Sequence, residues 1–104
     1  MDKTVLWRGA ALTDINAIAE YLAEESPEEA EKFSQNAIDT GESLANLSFR
    51  GKSVSNLTGY RQILFHRRTY WMIYRVDGDT VKIAAIIHTR QDFMRAWKSK
   101  NRFL

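Results

Sequence analysis

Apolar residues recur along this chain with two different periods, and the change from one to the other divides it into a helical half and a strand half. Leu12, Ile15, Ile18, Ala19 and Leu22 fall three or four positions apart, which predicts a first helix beginning near Ala10 or Thr13 with one apolar stripe. Ala30, Phe33, Ala37, Gly41, Leu44 and Leu47 repeat that spacing and predict a second helix running to about Ala45. Its start is marked by SPEE: Ser26 is a cap, Pro27 suits the first position because no N–H is needed there, and Glu29 completes a capping box. Glu28, Glu29 and Glu31 also lie at the positive end of that helix's dipole.

Strands precede and follow this pair. KTVLWRG is short and rich in β-formers. The stretch SFRGKSVSNLTG is polar with two glycines and reads as a loop, after which YRQILFH, TYWMIYRV and TVKIAAIIH are separated by RR and by DGD. Asp77-Gly78 predicts a tight type I′ turn, so the three strands form an antiparallel meander. Alternation sets Tyr70, Met72, Tyr74 and Val76 on one face and Trp71, Ile73 and Arg75 on the other. Both faces are partly apolar, so the helical hairpin can cover only one and the other needs a different cover. RQDFMRAWKSK predicts a short basic helix and NRFL a loose end. The predicted fold is α+β, in the order β-α-α-β-β-β(-α), with a mostly antiparallel sheet and a two-helix hairpin on one face. Residues 1–104 form a single domain with a basic C-terminal tail from about residue 91.

A chain of 104 residues, 44% of them hydrophobic, supports one core. Without cysteine there is no disulfide and no thiolate nucleophile, and a zinc site would need His and carboxylates alone; neither metal nor cofactor is expected. MDKTVLWRGA lacks the apolar segment of a signal peptide, and no apolar run approaches the roughly 20 residues that span a bilayer. The expected location is cytoplasmic, without membrane contact. Net charge is +2, but its distribution is lopsided. Residues 1–49 hold ten acidic side chains against three basic, net −7, and residues 50–104 hold twelve basic against three acidic, net +9. A basic half attracts a polyanion or an acidic protein segment.

The segments AALTDINAIAEYLAEESPEEAEKF and GYRQILFHRRTYWMIYRVDGDTVKIAAIIHTRQDF, in that order, resemble the RelE/ParE superfamily of type II toxins. The first is similar to that family's two-helix opening. The second is similar to its Tyr-Arg strand, Tyr-rich strand, DG turn and final strand ending in His-x-Arg. The resemblance implies a toxin silenced by a cognate antitoxin with an acidic or amphipathic segment, touching operator DNA only through the antitoxin complex. It also implies one of two targets. RelE-like members cut mRNA on the ribosome with basic side chains on the sheet, and ParE-like members inhibit DNA gyrase.

Metal-free RNA cleavage needs a base, an acid and a cation on the scissile phosphate. Against the nuclease motif, Arg61 stands where a Lys is expected, Ile63 replaces a second Lys, Trp71 replaces an Arg, and no Tyr follows Tyr74. Arg90 stands in for the arginine after the last strand. The candidate catalytic residues are Arg61, His88 and Arg90, with His66 and Asp92 as possible helpers to an imidazole that titrates near neutrality. The candidate surface for target or antitoxin is Arg61, Arg67, Arg68, Trp71, Arg75, Arg90 and Arg95. The departures favour the ParE-like branch and a gyrase inhibitor that is not an enzyme. The alternatives are a metal-independent endoribonuclease and a toxin-fold protein kept only for a DNA-binding autoregulatory complex.

Overall fold

A computed structural model describes residues 2–101. The chain runs β1 (Thr4–Trp7), α1 (Gly9–Ala23), α2 (Pro27–Ser43), β2 (Lys52–Ser53), β3 (Arg61–Phe65), β4 (Tyr70–Asp77), β5 (Thr80–His88) and α3 (Phe93–Asn101). The sheet has the order β1-β5-β4-β3-β2; β1 lies parallel to β5 and the other pairs are antiparallel. The α+β class, the helical hairpin on one face, the meander and the C-terminal helix all follow the sequence pattern. Asn101 of the expected loose end closes α3, and the rest of NRFL lies outside the described residues. No helix among them is long and apolar enough to cross a membrane.

The hairpin buries Ala11, Phe33, Ala37 and Leu44 against Ile63, Phe65, Tyr70, Met72, Tyr74, Val81, Ile83 and Ile86. Two members of the expected stripes are not in that core: Leu12 is 48% exposed because Ala11 takes the inward position, and Leu47 is 57% exposed because α2 has already ended. Gly41 allows a close approach of helix to sheet, since a Cβ there would overlap the Trp7 indole and come within 2.9 Å of Ile83 Cδ1.

The tight turn sits one residue later than predicted. Asp77 pairs with Thr80, so the central residues are Gly78 and Asp79, and only Gly78 is left-handed, with φ of 60°. That is the pattern of a type II′ turn, which takes Gly at its first central position. A second departure lies in β5. Ile73 pairs with Ala85 but Tyr74 pairs with Ile83, which leaves Ala84 as an extra residue and shifts the alternation. Beyond Ile83, β5 has no β1 neighbour, and the Ile86 N–H donates to Asp14 Oδ2 at 2.9 Å, with Lys100 Nζ of α3 donating to Oδ1 at 2.5 Å.

The N-terminus of α2 follows half of its expected capping box. Ser26 Oγ accepts from Glu29 N at 3.1 Å, but Ser26 N donates to Leu22 O, and the Glu29 carboxylate turns to the β3–β4 connection. It accepts from His66 Nε2 at 2.9 Å and from Arg67 at 2.6 and 3.3 Å. His66, Arg67 and Arg68 all have positive φ, between 51° and 61°. Each such non-glycine residue costs about 1–2 kcal/mol, so the carboxylate holds a strained turn in place.

Two outcomes follow from this packing. Phe33→Ala, which empties a fully buried aromatic site beside Phe65, His66 and Tyr70, is expected to cost about 3–5 kcal/mol in denaturant unfolding; a loss below about 1 would misplace the core. For Glu29, burial pushes the carboxyl pKa up, but hydrogen bonds and charge from His66 and Arg67 outweigh it and the net direction is down. A depressed carboxylate stabilises the fold above its unfolded pKa and loses that contribution as pH falls through the folded value. Glu29→Gln is therefore expected to be less stable than wild type at neutral pH, the gap closing as pH falls below about 4.3. A gap that is constant across that range would exclude the ionised carboxylate as its cause.

Candidate functional site on the sheet

Strand pairing sorts the side chains between the hairpin face and the outer face of the sheet. Lys52 with Gln62, Leu64 with Trp71, Ile73 with Ala85 and Arg75 with Lys82 are outward pairs. The centre of this face is covered by the chain itself: Phe93, Met94, Ala96 and Trp97 of α3, with Leu57 and Tyr60, pack on Ile73, Ala84, Ala85 and Ile87. The second apolar face thus owes much of its cover to the basic C-terminal helix. Asp92 starts that helix, its Oδ1 accepting from Arg95 N at 3.1 Å.

Two wings stay open on either side of α3. On one, Lys52 Nζ lies 5.2 Å from the centre of the Trp71 ring, in cation–π range. Beside them a groove of about 410 Å³ runs between Val54, Gln62, Phe93 and Met94, and Arg50 and Arg68 border a neighbouring depression that also reaches Trp71. On the other wing Arg75 and Lys82 are directly opposite each other, with the Arg75 guanidinium 5.7 Å from the Tyr60 ring. Lys82 also donates to Asp77 at 3.1 Å. That hydrogen bond, with the charges of Lys82 and Arg75, lowers the Asp77 pKa.

The predicted site residues are dispersed over these surfaces. Arg61 pairs with Tyr74 on the hairpin side, where its guanidinium donates to Gly51 O at 2.7 Å and lies 4.8 Å from the Phe49 ring. The Tyr74 hydroxyl accepts from Gly51 N at 2.8 Å; burial raises its pKa, against the hydrogen bond and the charges of Arg61 and Arg50. Arg67 is tied to Glu29. Arg68 and Trp71 meet at the first wing and Arg75 sits at the second. Arg90 and Arg95 are exposed beyond β5 and on α3.

The three catalytic candidates do not converge. His88 pairs with Tyr70 and Arg61 with Tyr74, which separates them by four residues of β4, about 13 Å, and two strands. His88 Nδ1 accepts from Arg90 N at 3.0 Å, and its ring packs edge-on against Tyr70 at 5.1 Å. His66, 6% exposed, has both ring nitrogens engaged, Nε2 with Glu29 and Nδ1 with Asn36 Nδ2 at 2.7 Å. Asp92 is occupied as a cap. One scissile phosphate cannot touch Arg61 and His88 together in this arrangement. Among the described residues no group of three His, Asp or Glu side chains is placed to hold a metal ion.

Reading the sequence missed Lys52, which falls in a segment that looked like loop, and Lys82 and Arg8, which join Arg75 on the second wing. The predicted turn hid Lys82: about Asp77-Gly78, Arg75 would face Thr80, and only the turn at Gly78-Asp79 makes Arg75 and Lys82 cross-strand neighbours.

Comparison with known proteins agrees with this fold. The chromosomal ParDE toxin–antitoxin system from P. aeruginosa contains a chain 25% identical to this one, with a TM-score of 0.71 over 83% of this chain and 95% of that one. The toxin–antitoxin complex RelBE2 from Mycobacterium tuberculosis (22% identity, TM-score 0.60, 85% and 99% covered) shares the fold, as does an E. coli RelE toxin mutant in the free state (13% identity, TM-score 0.56, both chains covered in full). Among curated proteins none matches the chain. The family described as the ParE toxin of the parDE type II toxin–antitoxin system matches residues 5–93, from β1 to the start of α3, and the chain belongs to that family.

Proposed function

We propose that this type II toxin inhibits growth by poisoning DNA gyrase, and that it does not act as a nuclease. The observation that carries this reading is the separation of Arg61 from His88 and Arg90, with His66 and Asp92 committed to hydrogen bonds that hold the fold and His88 Nδ1 accepting from Arg90 N. RNA cleavage without a metal depends on an acid, a base and a cation meeting at one phosphate, an arrangement that contributes about 10²–10⁴ from proton transfer alone. A gyrase inhibitor needs only a docking surface. The two open wings of the outer face, with Lys52, Arg68 and Trp71 on one and Arg75 and Lys82 on the other, supply it. In this reading the protein works in the cytoplasm and is silenced by an antitoxin whose acidic or amphipathic segment covers part of that face, operator DNA being reached through the complex.

Inducing the protein alone tests the target. Gyrase supercoiling activity is expected to fall and DNA breaks to accumulate, with translated mRNA intact. Ribosome-dependent cuts that vanish when Arg61, His88 and Arg90 are all changed to Ala would replace this reading by the nuclease. The antitoxin complex is expected to weaken as salt is added, because exposed charge pairs are screened beyond roughly 8 Å at physiological ionic strength. An affinity that does not respond to salt would point to a purely apolar interface.

A further inference from the structure

The second wing contains an arrangement that works against the fold. Antiparallel pairing sets Arg75 of β4 directly opposite Lys82 of β5, and like charges in that position repel. Lys82 is answered by Asp77. Arg75, and Arg8 at the end of β1, have no carboxylate of the described residues within ion-pair distance. The row across the sheet reads Leu6, Lys82, Arg75, Tyr60, and with Arg8 and Ala84 it lines a depression of about 570 Å³. Leu6 is 50% exposed at its side, and Ala84, the bulge residue, is buried at the bottom of the depression without side-chain bulk. Three cations around an apolar floor, with one carboxylate at the rim, leave an excess of two positive charges facing the concavity.

We infer that this depression is an anchoring pocket for a carboxylate side chain of a protein partner, presented next to an aliphatic residue in an acidic segment. The antitoxin reading above supplies the partner's identity, and the pocket's chemistry stands on its own residues. Arg75 and Arg8 hold the carboxylate through charge-assisted hydrogen bonds, and the exposed Leu6 side chain receives the aliphatic neighbour. A nucleic-acid strand fits less well. The Tyr60 ring is already engaged by Arg75 and by the Trp97 ring at 4.9 Å, so it offers no free face for a base. Asp77, ionised beside Lys82, repels a continuous run of phosphates but leaves room for a single carboxylate between Arg75 and Arg8.

The test uses the full chain and two probes at matched ionic strength, the peptide acetyl-Leu-Glu-Leu-Glu-Leu-amide and a short oligothymidylate, followed by backbone amide NMR. The peptide is expected to shift the amides of Leu6, Arg8 and Ala84. Arg75→Glu should weaken that binding about tenfold or more, since a charge-assisted contact becomes repulsive. Its Tm should not fall, because opposite charges then face each other across β4 and β5. Arg8→Glu should give the same loss of binding without touching that strand pair. Lys98→Glu, an equal change of charge on the exposed side of α3, should leave the shifts in place. Peptide shifts absent from these amides, or unchanged by both pocket variants, would overturn the inference. So would stronger shifts of the same amides by the oligothymidylate, which would make phosphate the ligand. Peptide binding in a chain that does not inhibit growth supports the pocket and removes the toxin reading, so the two fail separately.

Discussion

The extra residue in β5 decides what each face of this molecule can do. Up to Ile83 the odd-numbered positions of β5 face the helical hairpin; past Ala84 the even-numbered ones do. A shift of one residue in a strand reverses the face of every side chain beyond it. Ile86 therefore enters the core with Met72, Ile87 passes to the outer face under Trp97, and His88 arrives beside Tyr70 on the hairpin side. With unbroken alternation His88 would stand on the same face as Trp71 and Lys52. The bulge also sets Ala84 and Ala85 together on the outer face, where their small side chains make room for α3. Thus one irregularity both removes the imidazole from the open surface and seats the helix that divides that surface into wings.

Charge follows the same division. The acidic half of the chain is the helical hairpin and the basic half is the sheet with its flanks, yet few of the opposite charges meet. Glu29 is one of the exceptions, because its carboxylate leaves the capping box for His66 and Arg67. Asp14 is another, joining α1 to the free edge of β5 and to Lys100. Both contacts tie helices to strands at places where the backbone alone does not: a strained turn in one case, a strand edge without a neighbour in the other. Of the basic side chains left without a carboxylate among the described residues, Lys52 and Arg68 face outward on one wing and Arg75 on the other.

Periodicity was enough to read the helices, the meander and the core under the hairpin, because burial on one stripe or one face writes itself directly into spacing. It was not enough for Leu12 and Leu47, where neighbouring apolar residues compete for the same inward position or the helix stops short. Nor did it reveal the bulge, since AAII is apolar in either register and nothing local distinguishes them. The basic site residues were legible as a class, but which face each occupies depended on that register and on the turn at Gly78. The cover over the second apolar face was left open by the sequence, because a helix rich in Arg and Lys reads as a basic tail even though it presents Phe93, Ala96 and Trp97 on one side.

The turn between β3 and β4 concentrates backbone strain in this fold. A left-handed run of three residues would be made most easily from glycine or asparagine, and the chain places His66, Arg67 and Arg68 there. His66 and Arg67 recover part of that cost through Glu29 and Asn36. Arg68 makes no such bond among the described residues and projects instead toward the depression beside Trp71. In the docking reading proposed above, the two wings are the ends of one surface, with Arg68 at the mouth of the first, Arg75 and Lys82 on the second and α3 between them.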